Sequence, residues 1–452
     1  MLTRTLTHSL LALTLLAACG GSDPDDGSGT DVDLLGKDSP TCTISRERVL
    51  NPRLTTRVPG GKKADLCDFG VFAWESFLYL VAPSDADPSL RRFQSSDDFP
   101  QYLGQGEDSC GSLTSSGPFF KATNVAAPSP SVEAGTDSVV YSVHGAPGSG
   151  DNLILYNIRF SRDLCTAEGP NLPADLVEIK TAWRALQAGG DHSRYFVIDV
   201  EIDGVETKLG LIGFHLAQIT KNHPEMVWST WEHIDNVPDC VNSDAAPPRP
   251  RAGWTMTSDA CASCLVNPES TDCSAACTTE DTTFTPATSP INQGWSITGL
   301  TDIPLQAAPT NICRIYPQGT RADDNQADTN RQNINELNDQ VIGPEGYLSS
   351  LPRRDPQSVW QHYQLVGGIW FNAEGSPELQ PDSNPDLQRG SIQLENTVME
   401  TTFQSFAAFD PSTEPTQAGL NCFTCHNAQD WNETLASKVS HIAPYVHGDT
   451  PD

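Results

Sequence analysis

The sequence predicts an α+β protein with three parts: a β-rich body with packed helices, a disulfide-containing insertion, and a helical C-terminal segment. Three observations predict it. Alternating β-branched and aromatic runs recur between residues 153 and 234, stretches with helical spacing flank them at 67–81 and 328–341, and Cys422, Phe423, Thr424, Cys425 and His426 stand near the C-terminus.

The first residues read as an export signal. Arg4 precedes an apolar core from Leu10 to Leu16, and Ala17-Ala18-Cys19 follows, too short a run to span a bilayer as a mature helix. The ending resembles a bacterial lipobox, in which residues 1–18 are removed and the Cys19 sulfur receives a diacylglyceryl anchor. Gly20, where an aspartate would favour inner-membrane retention, points to the outer membrane, facing the periplasm or the exterior. Residues 19–41 are rich in Gly, Asp and Ser and read as a solvated tether. No later stretch has the length and apolarity of a membrane span.

Residues 42–390 form the expected mixed body. The run 67–81 places Phe69, Phe72, Ala73, Ser76 and Leu80 on one helical face, so it predicts a buried helix. Strand signals follow at 138–144 and 153–160. Residues 173–187 carry Leu176, Ile179, Trp183 and Leu186 at helical spacing and predict a helix. Residues 195–202, 207–219 and 226–234 predict strands, the last two joined as a hairpin through 220–225. That hairpin carries His215 on one arm and Glu232-His233 on the other. Such a set suits a metal site or a distal haem group, or hydrogen-bonded structural residues at a sheet edge.

Residues 239–295 hold little large apolar content and five cysteines, read as a disulfide-stapled insertion, with a four-thiolate zinc site as the alternative. Beyond it, 328–341 predicts a polar helix. Asp355-Pro356 forms an N-cap and first-turn pair opening a helix through Val359, Trp360 and Tyr363 that Gly367-Gly368 breaks. Residues 391–452 form the expected helical haem segment, beginning with a helix over 391–406.

The C-x-x-C-H spacing has a chemical reason. Two thiols three residues apart reach the two vinyl groups of one haem from a single turn of chain, and the next histidine ligates the iron from the proximal side. The plain alternatives are a C-x-x-C disulfide or half of a zinc site. Cysteine usage agrees with an oxidising compartment. Of thirteen cysteines, Cys19 goes to lipid and Cys422 and Cys425 to haem, leaving an even ten for disulfides.

Several stretches together resemble an uncharacterised bacterial family of cytochrome c proteins. They are AWESF at 73–77, EIKTAWR at 178–184, IGFHL at 212–216, VWSTWEHIDNVP at 227–238, VWQHYQLVGGIW at 359–370, ENTVMETTFQ at 395–404 and NCFTCHN at 421–427. The resemblance implies one covalent haem c on a large exported scaffold and identifies no substrate.

Only 26 residues follow His426 and none is methionine, so a distal ligand, if there is one, is a tail histidine, Met399 or a residue of the body. Met399 and His441 are the leading candidates, with His447, His215, His233 and His362 behind them. A six-coordinate iron suits outer-sphere electron transfer; an open one binds peroxide or oxygen and makes a redox enzyme, with His215 or His233 as distal acid or base. A third class is a binding lipoprotein whose C-x-x-C is a disulfide. With 27 basic against 58 acidic residues the formal charge is -31, which disfavours nucleic acid and favours a basic redox partner protein.

Overall fold

The computed structural model describes most of residues 41–103, 154–239, 253–266, 327–371 and 388–400, with shorter stretches within 107–119, 309–314, 422–426 and 440–447. The signal, Cys19, the tether, the 138–144 strand apart from Ser142, most of the 239–295 insertion and His441 lie outside the described residues.

The α+β expectation is overturned. The molecule is predominantly one antiparallel sheet with few helices, and among the described residues no helical haem segment exists beyond a single turn. The strands are β1 (Ile154–Phe160), β2 (Val177–Ala185), β3 (Val197–Ile202), β4 (Val205–Thr220), β5 (His223–His233), β6 (Tyr363–Phe371) and β7 (Gln388–Gly390). They run in the order β1-β2-β4-β5-β6-β7, and β3 pairs with the N-terminal half of β4. The β4–β5 hairpin forms as its alternation predicts, closing on Lys221 and Asn222.

Two helices behave as their spacing predicts. α2 (Leu66–Val81) follows the short α1 (Arg46–Leu50) and opens with a capping box, in which Asp65 accepts from the Asp68 N–H and Asp68 accepts in return. α4 (Ala327–Ile342) follows α3 (Asp259–Val266), and both α2 and α4 pack on one face of the sheet. There Phe77 stacks on Trp231 at 4.6 Å and meets Phe214 edge-on at 5.2 Å. Disulfides Cys42–Cys67 and Cys110–Cys165 tie the N-terminal stretch to α2 and a loop to the end of β1, and Cys261 and Cys313 are also disulfide-bonded.

Three expected helices are not helices. Residues 177–185 form β2, because Val177, Ile179 and Trp183 pack on the helix-bearing side while Glu178, Lys180 and Ala182 face the other way, a period of two. After Asp355 a 3-10 turn (Ser358–His362) leads into β6 rather than into a longer helix. Residues 391–400 form turns pressed onto the second face of the sheet.

This close approach depends on two glycines. A Cβ at Gly213 would lie 2.6 Å from Val398 Cγ2, and one at Gly367 would sit 2.8 Å from Ser391 Cβ. Gly367 is thus a contact point within β6 and not a helix breaker. The turn is stapled down by Tyr156 Oη donating to the Val398 carbonyl at 2.6 Å and by Asn396 Nδ2 donating to Thr230 Oγ1 at 2.7 Å. Glu232 accepts from the Thr397 N–H and hydroxyl, each at 2.7 Å, while Arg314 holds the same carboxylate at 2.6 Å and Asp239 at 2.6 Å.

Candidate functional site

The second face of the sheet gathers what the sequence singled out at the C-terminus. Its core combines Ile154, Tyr156, Ala217 and Trp228 of the strands with Val398, Met399, Phe423, Ile442 and Val446. Cys422–Cys425 forms one helical turn, α5, and the His426 N–H donates to the Cys422 carbonyl at 2.8 Å. That i,i+4 relation sets the Cys422 and His426 side chains on one side of the turn. Phe423, next in sequence to Cys422, is fully buried with its ring 4.3 Å from Phe371 and anchors the turn to β6. Cys422 and His426 are both half-buried. The His426 imidazole lies 4.0 Å from the indole of Trp228 on β5, tilted by 42°.

Sheet register places the neighbours. Trp228 stands opposite Ala217, which stands opposite Glu178, and one step along the strands Thr230, His215 and Lys180 form a parallel row. Directly opposed side chains lie about 5 Å apart and diagonal ones about 7–8 Å. Glu178, Lys180 and His215 are therefore ionisable groups on central strands, on the sheet face that also carries Cys422 and His426. Glu178 and Lys180 keep partial solvent access. Burial pushes the Glu178 carboxyl up to about 7, against the opposing effect of the Ser440 hydroxyl that donates to it.

His215 Nε2 meets Glu400 Oε1 at 2.8 Å, and the other Glu400 oxygen accepts from the Asn396 N–H at 2.7 Å. Burial, reinforced by the Glu400 charge, pushes the neighbouring Glu395 well above the carboxylate range. An ionisable cluster of this kind, retained inside a mostly apolar layer, makes this face the candidate site.

The expected His215, Glu232 and His233 set does not assemble. His215 and Glu232 lie on the sheet face covered by residues 391–400, where they meet Glu400 and Thr397, whereas His233 points to the opposite face, stacked on Tyr195 at 4.2 Å with His362 beyond it at 6.1 Å. His233 Nε2 donates to the Arg194 carbonyl and Nδ1 accepts from the Asp235 N–H. Burial pulls its pKa down to about 3, so it is a neutral structural histidine with both nitrogens engaged. Met399 is fully buried beside Gly213, in the same core as Phe423. His447 sits with Asp108 and Cys110 in the one three-donor cluster among the described residues, but the Cys110 sulfur is spent on Cys165 and offers no thiolate.

Glu178, Lys180, Trp228 and Glu400 were not singled out by the sequence. Reading 177–185 with a period of two would have put Glu178 and Lys180 on one face; nothing in the sequence marks Trp228 apart from the other tryptophans. No protein-family model matches this chain, and no significant match arises among curated proteins or solved structures, so a functional reading rests on the residues of the site.

Proposed function

We propose that this chain is an exported, lipid-anchored c-type cytochrome that carries one covalent haem on Cys422 and Cys425, with His426 as proximal ligand, and transfers electrons to a partner protein. The observation that carries the reading is the helical turn itself, which sets a thiol and an imidazole on one side and buries Phe423 as its anchor. That donor set fits a haem c. When bound, the haem supplies a one-electron iron couple whose potential follows its axial ligands and burial.

The chain's own residues have defined parts. Phe423 and Phe371 hold the turn against β6, Trp228 backs the imidazole of His426, and the apolar layer around Ile369 and Ala217 keeps water from that side. The lipid anchor at Cys19 would hold the molecule at the outer membrane, and its formal charge of -31 favours a basic redox partner.

A second reading is a haem-dependent redox enzyme acting on a peroxide or on oxygen, and one specific observation favours it. Glu178, Lys180 and His215 stand together on the face that carries the motif, where an electron carrier alone has no need of them. His215, held by Glu400, is then the acid–base candidate, and His233 is not.

Expression with haem-attachment machinery, followed by haem staining on a denaturing gel, tests the main reading. Stain is expected for the wild type and lost in C422S/C425S; an unstained wild type overturns it. The ferric EPR spectrum then separates the two functions. Low-spin iron inert to cyanide and peroxide supports the carrier, and high-spin iron that shifts on adding either supports the enzyme.

A further inference from the structure

Trp228 is 7 % exposed, and its indole N–H has no hydrogen-bond acceptor among the described residues. A buried donor left without an acceptor is costly and calls for an explanation. Among the described residues Trp74, Trp231 and Trp360 also lack conventional acceptors, but each is in a T-shaped contact with an aromatic ring. Trp74 meets Trp231 at 71°, Trp231 meets Phe214 at 80° and Trp360 meets Phe77 at 85°, the kind of arrangement in which an indole edge can turn toward a ring. Trp228 has a different neighbour. The ring against it is His426, tilted by 42°, and the core around it is apolar, with Ala217 and Ile369 directly opposite on the flanking strands.

Indole nitrogen is a donor only, so what the site lacks is an acceptor. Haem carries two carboxylates, and a carboxylate drawn toward an apolar sheet face needs a donor there. We infer that Trp228 donates its indole N–H to a carboxylate of the haem held at Cys422 and Cys425. This inference rests on the haem reading above and names the residue that fixes the haem's polar edge. Trp228 then serves twice, its ring backing the His426 imidazole and its nitrogen binding the ligand.

The full-length W228F protein, produced with haem-attachment machinery, tests the assignment. Haem staining comes first. A wild type without covalent haem overturns the haem reading itself, whereas stained wild type and W228F confine the question to the hydrogen bond. A donor that favours the charged carboxylate lowers its pKa, so its loss raises that pKa. In W228F the inflection of the reduction potential against pH is expected to move up by about one unit, and the haem carboxylate mode in resonance Raman is expected to shift. An unchanged inflection together with an unchanged carboxylate mode overturns the proposal.

Should W228F not fold, the reduced wild type labelled with 15N-tryptophan reads the same bond. One indole N–H signal is expected to move to the hydrogen-bonded range and to exchange more slowly than in the haem-free C422S/C425S protein. No such difference between the two overturns the assignment.

Discussion

His215 on β4 and Glu400 in the covering turn meet at 2.8 Å although they are 185 residues apart in sequence. The same carboxylate caps the turn by accepting from the Asn396 N–H, so Glu400 joins the turn to the sheet through two bonds. E400A is expected to destabilise the protein by about 1–3 kcal/mol, the cost of leaving such groups unmet. In a double-mutant cycle H215A and E400A should couple by at least about 0.5 kcal/mol. Denaturant unfolding of the four proteins measures this, and strictly additive effects would show that the pair holds nothing.

A second strut is buried more deeply. Arg314 spans Glu232 and Asp239, and Glu232 in turn holds Thr397. Burial pulls the Arg314 guanidinium down, but the two carboxylates more than offset it and hold it above its usual range. R314M leaves the fully buried Glu232 carboxylate without its cation, a change that costs about 3–5 kcal/mol. Adding E232Q should recover a large part of that loss, because the remaining group is neutral and still able to accept from Thr397. A double variant no more stable than R314M alone would mean that packing, and not charge, accounts for the loss.

These two struts show why the sequence reveals only part of the fold. The β4–β5 hairpin and α2 are legible because each announces its own period, and the polar helix at 328–341 is legible for the same reason. β2 is not, because Leu176, Ile179, Trp183 and Leu186 imitate helical spacing while pairing with β1 and β4 imposes a period of two. Residues 391–400 mislead in another way. Leu394, Val398 and Met399 are apolar because they lie on the sheet over Gly213 and Gly367, a contact that no local pattern encodes. The site divides similarly: Cys422, Cys425 and His426 are recognisable as a spacing, whereas Trp228 and Glu178 gain meaning only from register across four strands.

The disulfide between Cys42 and Cys67 closes a separation of 25 residues and fixes the N-terminal stretch, which also meets α4 where the Cys42 N–H donates to Glu336 at 2.7 Å. C42S/C67S is expected to lower stability by about 2–4 kcal/mol. The Cys422–Cys425 turn lies on the opposite face of the sheet, so under the proposed cytochrome function haem staining should survive in this variant at temperatures where it remains folded. Loss of covalent haem from the folded variant would contradict that separation.

Glu178 makes stability depend on pH in a direction opposite to that of a salt-bridged carboxylate. In the unfolded chain its carboxyl titrates near the ordinary value of 4.5, and in the folded protein burial raises it to about 7. Between those values the folded protein keeps a proton that the unfolded chain has released, so this group's contribution falls as pH rises from about 4.5 to 7 and levels off above. Below 4.5 the acid is neutral in both states and costs nothing. E178Q mimics the neutral acid and still offers an oxygen to the Ser440 hydroxyl. It should therefore match the wild type near pH 4.5 and exceed it at pH 8 by at least about 1 kcal/mol, the partial solvent access of Glu178 keeping the gain below the full value of the shift. Denaturant midpoints of both proteins across this range measure the difference, in which every other titrating group cancels. A difference that stays flat from pH 4.5 to 8 would place the Glu178 carboxylate in water and remove it from the site.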